Sequence, residues 1–283
     1  MNDVQFEEIK KIELEILQEF IRICEKLNLR WYGGYGTALG AQRHKGFIPW
    51  DDDIDVLLPR KDYEIFCKSA QKYMKENYFL QTDKTDPEYI QTFAKIRRSD
   101  TTFLEIASAD KEINHGIYID VFPLDGYPTN KFEELMFKYK RVIYDCYIYQ
   151  NGDRCALSGF RKWIVSIHYM ICGKLSGREA LEKKNKLVSR VDYEKAKIVS
   201  CMVEDYPKRE AVPKEYFGRG KTVKFEGINI VVPEELDKYL AHLYGDYMKY
   251  PPLEERKPIH QCLVIDTKRS YLEYENGKVN RYE

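Results

Sequence analysis

The first strong pattern along the chain is a set of apolar residues, Ile9, Ile12, Ile16, Phe20, Ile23 and Leu27, recurring at three- and four-residue steps. That period predicts an amphipathic helix. Trp31 and Tyr32 read as a short strand, broken by Gly33, Gly34 and Gly36, and Thr37 opens a short helix through Arg43. The segment 44–50 is a loop containing Pro49. Residues 53–58 alternate polar with apolar and then turn wholly apolar, as in a strand with one buried face. Pro59 ends that strand, and Asp62 is placed to cap the next helix. Short strands are expected at 78–81, 92–97, 102–106 and 117–122.

Beyond Asn130 the period changes. Segments 132–149, 160–172 and 178–193 read as helices. Strands at 197–203 and 228–232 follow, and Pro233 and Glu234 start a last helix running to Tyr244. The predicted class is α+β: a core over residues 1–128, then a mainly helical region, 129–283, whose C-terminal elements return to the core. A chain of 283 residues suits one large domain or a core with an appended module, at roughly 100–200 residues per domain.

Composition narrows the function classes. With 43% hydrophobic and 33% charged residues, the chain can bury a sizeable core. Lys plus Arg equals Asp plus Glu at 46 each, so no global field recruits nucleic acid, and any anion binding must be local. The seven cysteines include no C-x-x-C pair. This disfavours a structural zinc site and suits free thiols in a reducing cytoplasm, as does an N-terminus without signal-peptide character. The most apolar segment, 163–172, falls short of the roughly 18 residues of a membrane span. A buried helix is expected there, with contact at a membrane surface as the alternative.

The candidate chemistry centres on Trp50-Asp51-Asp52-Asp53-Ile54-Asp55-Val56. Four acids in five positions repel one another unless a cation sits among them. On a strand, Asp53 and Asp55 share a face while Ile54 and Val56 point into the core. Two carboxylates on one face suit Mg²⁺ or Mn²⁺. The competing reading is a solvated acidic turn. Asp120 interrupts a second apolar strand, and placed beside the first it would complete a three-carboxylate site for phosphoryl chemistry. Asp125 precedes Gly126, which suggests a turn. Gly33, Gly34 and Thr37, at a strand-to-helix junction, could cradle a phosphate. Lys95 and Arg97 share a strand face and could clamp phosphate oxygens. Arg43, His44 and Lys45 form a second basic patch.

Together these residues resemble the LicD family and the related fukutin-type proteins, within the nucleotidyltransferase-fold superfamily. The matching stretches are residues 33–40, 43–55, 94–97 and 116–125, and Tyr244-Gly245-Asp246-Tyr247-Met248 with Pro251-Pro252. The resemblance implies a mixed sheet flanked by helices, and transfer of an alcohol phosphate from a CDP-linked donor to a glycan or glycolipid hydroxyl. Phosphocholine from CDP-choline is the family's best-known case. It implies Asp53, Asp55 and Asp120 as metal ligands, and His260 as a binding residue. No fukutin-type zinc loop is recognisable. Two other activities use a similar acid set: a nucleotidyltransferase modifying a small-molecule hydroxyl, and a D-x-D glycosyltransferase. A non-catalytic binding protein is the third alternative.

Overall fold

The computed structural model describes residues 3–149, 163, 166–170, 173–204, 206–258 and 260–274. The apolar stripe at the N-terminus forms helix α1 (Asp3–Leu27), with Ile9, Ile16, Phe20 and Ile23 fully buried. It packs across the sheet strands β4 (Ala94–Arg98) and β6 (Ile117–Gly126).

The main sheet has seven strands among the described residues. Its path runs from β1 (Tyr32–Gly33) through β2 (Asp55–Pro59), β6 and β4 to β3 (Tyr78–Gln81). Strand β6 is buried along its whole length. Its near-continuous apolar run is what a central strand covered on both faces requires. At its C-terminal end it also pairs with β7 (Ile198–Ser200), which pairs with β8 (Val212–Pro213). The β2–β6 ladder is parallel, while β1–β2, β4–β6 and β3–β4 are antiparallel. The fold is therefore α+β with a mixed sheet, as expected.

Helix α2 (Tyr35–Arg43) joins β1 to β2, and α3 (Arg60–Ser69) follows β2. The helical part consists of α4 (Lys131–Ile148) packed on α5 (Gly177–Val188). Asn130 caps α4 by accepting from the Phe132 N–H, and Ser176 with Glu179 forms a capping box on α5. The chain then returns to the core through the hairpin β9 (Lys221–Phe225) and β10 (Ile228–Val232), helix α6 (Leu236–Tyr244) and strand β11 (Cys262–Asp266). Strand β11 pairs with β5 (Thr102–Glu105). Ile230, Val232, Leu236 and Leu240 join the same hydrophobic cluster as Ile16 and Val56. Among the described residues no helix is long and apolar enough to cross a membrane.

Several sequence expectations need correction. Helix α3 starts at Arg60 directly after Pro59, and Asp62 caps nothing; its carboxylate instead accepts from the Arg30 guanidinium at 3.0 Å. The helix expected to reach residue 193 ends at Val188, and the strand expected over 197–203 spans three residues. Strands β9 and β11 were not foreseen. Strand β9 is mostly exposed and lysine-rich, and β11 is defined by a partner roughly 160 residues away in sequence, so neither carries a local period. Most of the helix expected at 160–172 lies outside the described residues; positions 163 and 166–170 are helical.

Candidate active site

One lateral row crosses the sheet at its centre. Asp55 on β2 stands in register with Asp120 on β6, and Asp120 stands in register with Lys95 on β4. Directly opposite residues share a face, so the three side chains meet. The Lys95 Nζ lies 2.7 Å from Asp120 Oδ1 and 3.3 Å from the centre of the Tyr118 ring. The ladder reaches back past the start of β2, since the Asp120 N–H donates to the Ile54 carbonyl at 2.9 Å. Ile54 and Val56 are fully buried, which fixes Asp53 and Asp55 on the opposite, cleft-facing side.

The loop carrying the acids is held from below and behind. Lys10 on α1 donates to the Pro49 carbonyl at 3.1 Å. Glu226, in the β9–β10 turn, accepts from the Phe47 N–H at 3.1 Å and donates its own N–H to the Lys45 carbonyl. Asp52 is buried and faces His260, whose Nδ1 lies 3.1 Å from Asp52 Oδ1 and whose N–H donates to Oδ2 at 3.3 Å. Glu13, on the apolar stripe of α1, is 2% exposed, and its Oε2 has no hydrogen-bond partner among the described residues.

Burial among like charges raises these carboxyls. Loss of water, then the charges of Asp53 and Asp52, pushes Asp51 up to about 8. Burial, with Asp120 and Asp52 adding to it against His260, pushes Asp53 up to about 6. Asp55 is driven well above the carboxylate range by burial and then by Asp53 and Asp120, and Glu13 likewise by burial and then by Asp53. Burial alone would lower His260. The hydrogen bond and charge of Asp52, with Asp53 and Glu105, outweigh it and bring the imidazole to about 9. The site thus concentrates more negative charge than its own cations balance.

The glycine turn has a different part from the expected one. Gly33 lies within β1 and pairs with Val56. The Gly34 N–H donates to the Asp55 carbonyl at 3.0 Å, and a Cβ there would lie 2.7 Å from Leu57. Thr37 is buried, and its hydroxyl accepts from the Asp55 N–H at 2.9 Å. These groups bind the Asp55 backbone from both sides, so they position a carboxylate rather than offer themselves to a phosphate. At Gly36 a Cβ would sit 2.5 Å from Asp51 Oδ2, so a side chain there would push the Asp51 carboxylate aside. Arg97 is also turned inward: it is 1% exposed and donates to Gln81 Oε1 at 2.7 Å and to the Gly116 carbonyl at 2.8 Å. It braces Tyr118, whose ring lies 4.4 Å from its guanidinium. Asp125 makes no turn. It is fully buried at the end of β6 and accepts both Arg60 donors, at 2.7 and 2.5 Å.

Asp53, Asp55 and Asp120 line a cleft of about 700 Å³ that runs between the sheet and α4. Its further walls carry the rings of Tyr35, Phe93, Phe122 and Tyr149 and the carboxylates of Asp145, Glu204 and Glu210. Tyr35 has φ +40°, a conformation costly for an aromatic residue. It is held there by an N–H bond to the Tyr239 hydroxyl, by its own hydroxyl donating to Glu210 at 2.5 Å, and by edge contact with Phe122.

The donor set suits a hard divalent cation: carboxylate oxygens only, turned to a cleft and mutually repelling. Among the described residues no three acidic, imidazole or thiol groups already stand as a closed metal-holding set, and Asp120 is engaged by Lys95. Asp53 and Asp55 are the pair that could hold such an ion. Sequence reasoning gave Asp52 no role beyond the acid cluster and passed over Glu13 and Glu210. Glu13 had a readable signal, an acid on the buried stripe of α1 between Ile9 and Ile16. The Asp52–His260 and Tyr35–Glu210 contacts join segments more than 170 residues apart and had none.

The chain is similar to known proteins of one family. The family described as LicD/FKTN/FKRP, nucleotidyltransferase domain, matches residues 28–160. The lipopolysaccharide cholinephosphotransferase LicD of Haemophilus influenzae is 31% identical over 268 residues, covering 92% of this chain and 97% of that protein. Uncharacterised proteins of Rickettsia prowazekii and Rickettsia typhi are 25% and 28% identical over 139 and 126 residues, under half of each chain.

Proposed function

Since the chain belongs to the LicD family of transferases, we propose that it moves phosphocholine from CDP-choline to a hydroxyl of a cell-surface glycan or glycolipid, releasing CMP. The observation that carries this reading is the row Asp55–Asp120–Lys95 across three strands at the floor of the cleft. Phosphoryl transfer asks a protein mainly for positioning and charge placement. Lys95 orients Asp120, which takes the proton of the attacking hydroxyl. The Gly34 and Thr37 bonds fix Asp55, and His260 with Asp52 holds the acid loop against the sheet. A Mg²⁺ or Mn²⁺ held by Asp53 and Asp55 would neutralise the phosphate oxygens and the departing CMP.

The cleft walls support choline as the alcohol. A quaternary ammonium has no N–H to donate and is held by ring faces and spread negative charge. Tyr35, Phe93, Phe122 and Tyr149 line the cleft with aromatic surface, and Glu204 and Glu210 bring negative charge to it beside Arg141 and Lys184. A polyol phosphate would ask instead for a ring of hydrogen-bond partners. Cys24, Cys67, Cys201 and Cys262 are free thiols, which supports a reducing compartment. The reading places the reaction on the cytoplasmic side, with the protein meeting a membrane-borne acceptor peripherally. The test is a panel of CDP-alcohols with a glycan acceptor, scored by CMP release with and without a divalent-metal chelator. Turnover of CDP-choline above the polyol donors, lost with chelator, is expected. Pyrophosphate release from a nucleoside triphosphate with CDP-choline inert would overturn the reading.

A further inference from the structure

A second charged group of the opposite sign stands beside the acid loop. Arg43, the last residue of α2, and Arg256 share two aromatic rings. The Arg43 guanidinium carbon lies 4.7 Å from the centre of Tyr250 and 5.8 Å from that of Trp50; for Arg256 the distances are 5.2 and 5.4 Å. The rings lie 5.9 Å apart, and His44 meets both edge-on. Arg43 donates to the Tyr247 carbonyl at 3.0 Å and to His44 Nε2 at 2.9 Å, and Arg256 donates to the Pro251 carbonyl at 2.9 Å. Among the described residues no carboxylate lies within ion-pair distance of either guanidinium, whereas Arg22, Arg30, Arg60 and Arg98 each have one. Two cations gathered on one aromatic pair repel each other unless an anion joins them. Each retains guanidinium N–H donors that these contacts leave unused, in the fork that matches a phosphate.

We propose that Arg43 and Arg256, stacked on Trp50 and Tyr250, form an oxyanion subsite for a phosphate group of a substrate. Trp50 is joined directly to Asp51, so the subsite adjoins the carboxylates but is not part of the cleft they line. The anion site stands on its own geometry. Its assignment to a substrate rests on the transfer reading, in which the phosphate belongs either to the donor diphosphate or to a phosphorylated acceptor.

The experiment has two arms. In the first, inorganic pyrophosphate is titrated into the full chain in the presence of a divalent-metal chelator, followed by calorimetry. Under these conditions the acid cluster repels the anion. Arg256→Gln and Arg43→Gln are expected to weaken binding about 10- to 100-fold, and Arg256→Lys to restore it in part, each variant being checked for folding by circular dichroism. Unchanged binding in both folded glutamine variants would overturn the subsite. In the second arm, KM is measured for CDP-choline and for acceptor, native and phosphatase-treated. A raised donor KM assigns the phosphate to the donor. A raised acceptor KM that vanishes with dephosphorylated acceptor assigns it to the acceptor. If the wild-type chain turns over no CDP-alcohol, the transfer reading fails while the titration still decides the subsite.

Discussion

Asp55 and Asp120 occupy one rung of the parallel β2–β6 ladder, and Lys95 binds Asp120 from the next strand at 2.7 Å. The two carboxylates are therefore fixed by strand register, not by loop conformation. Substituting Asp55 by Ala removes the proposed metal ligand and a buried carboxyl disfavoured by Asp53 and Asp120 together. CMP release should fall roughly a hundred- to a thousandfold or more, with circular dichroism unchanged and the melting temperature equal to or above wild type without metal. Loss of folding in this variant would mark the acid as structural.

Lys95 and Asp120 are each 7% exposed. Replacing Lys95 by Met leaves a buried carboxylate without its cation, a change that costs about 3–5 kcal/mol. The melting temperature should drop, and should recover in Lys95→Met/Asp120→Asn. A drop in the double variant as large as in the single one would show that the pair is not what stabilises this part of the sheet.

The raised carboxyls and His260 set the pH dependence. An acid with its folded pKa above its unfolded value makes the folded state bind more protons, so stability falls as pH rises between the two values. For Asp51 that window runs from the ordinary carboxylate range to about 8. His260, raised to about 9, contributes stability present below its ordinary range and lost as pH rises through 9. Both act in one direction, so the metal-free protein should melt at lower temperature at pH 9 than at pH 6. Added Mg²⁺ should lessen the difference at pH 7–9. Melting temperatures that rise with pH over this window would refute the charge assignment.

Glu13 is raised well above the carboxylate range by burial and then by Asp53. Glu13→Gln keeps the shape and removes the titrating proton. Its melting temperature should match wild type at pH 6 and exceed it at pH 9. A deficit at both values would mean that the carboxylate makes an ionised contact.

Glu210 binds the strained Tyr35 at the wall of the cleft. Glu210→Gln should raise KM for CDP-choline severalfold and leave a CDP-polyol unaffected, because only the cationic head senses the lost charge. Equal effects on both donors would count against the choline assignment.

Much of this site was legible in the sequence. The alternation of Asp53 and Asp55 with Ile54 and Val56 gave the face of the acids, and the lone Asp120 in an apolar run marked the second strand. Lys95 shared a face with Arg97, but periodicity could not show that Lys95 reaches Asp120 while Arg97 turns under Tyr118. The glycines were visible as a turn. That the Gly34 N–H donates to the Asp55 carbonyl, and the Thr37 hydroxyl accepts from the Asp55 N–H, depends on a tertiary approach no local pattern records. The family motif pointed to His260, but its contact with Asp52, 208 positions away, had no signal in the sequence. The stacking of Arg43 and Arg256 likewise depends on Tyr250 folding back over Trp50.

The central claim concerns which group moves. The direct measurement uses CDP-choline labelled separately in the choline carbon, in the choline-linked phosphate and in the cytidine, incubated with Mg²⁺ and a glycan acceptor. The account predicts that choline and phosphate labels reach the acceptor in equal amounts while the cytidine label leaves as CMP, and that Asp55→Ala abolishes both transfers. Cytidine label on the acceptor, or choline transferred without its phosphate, would contradict it.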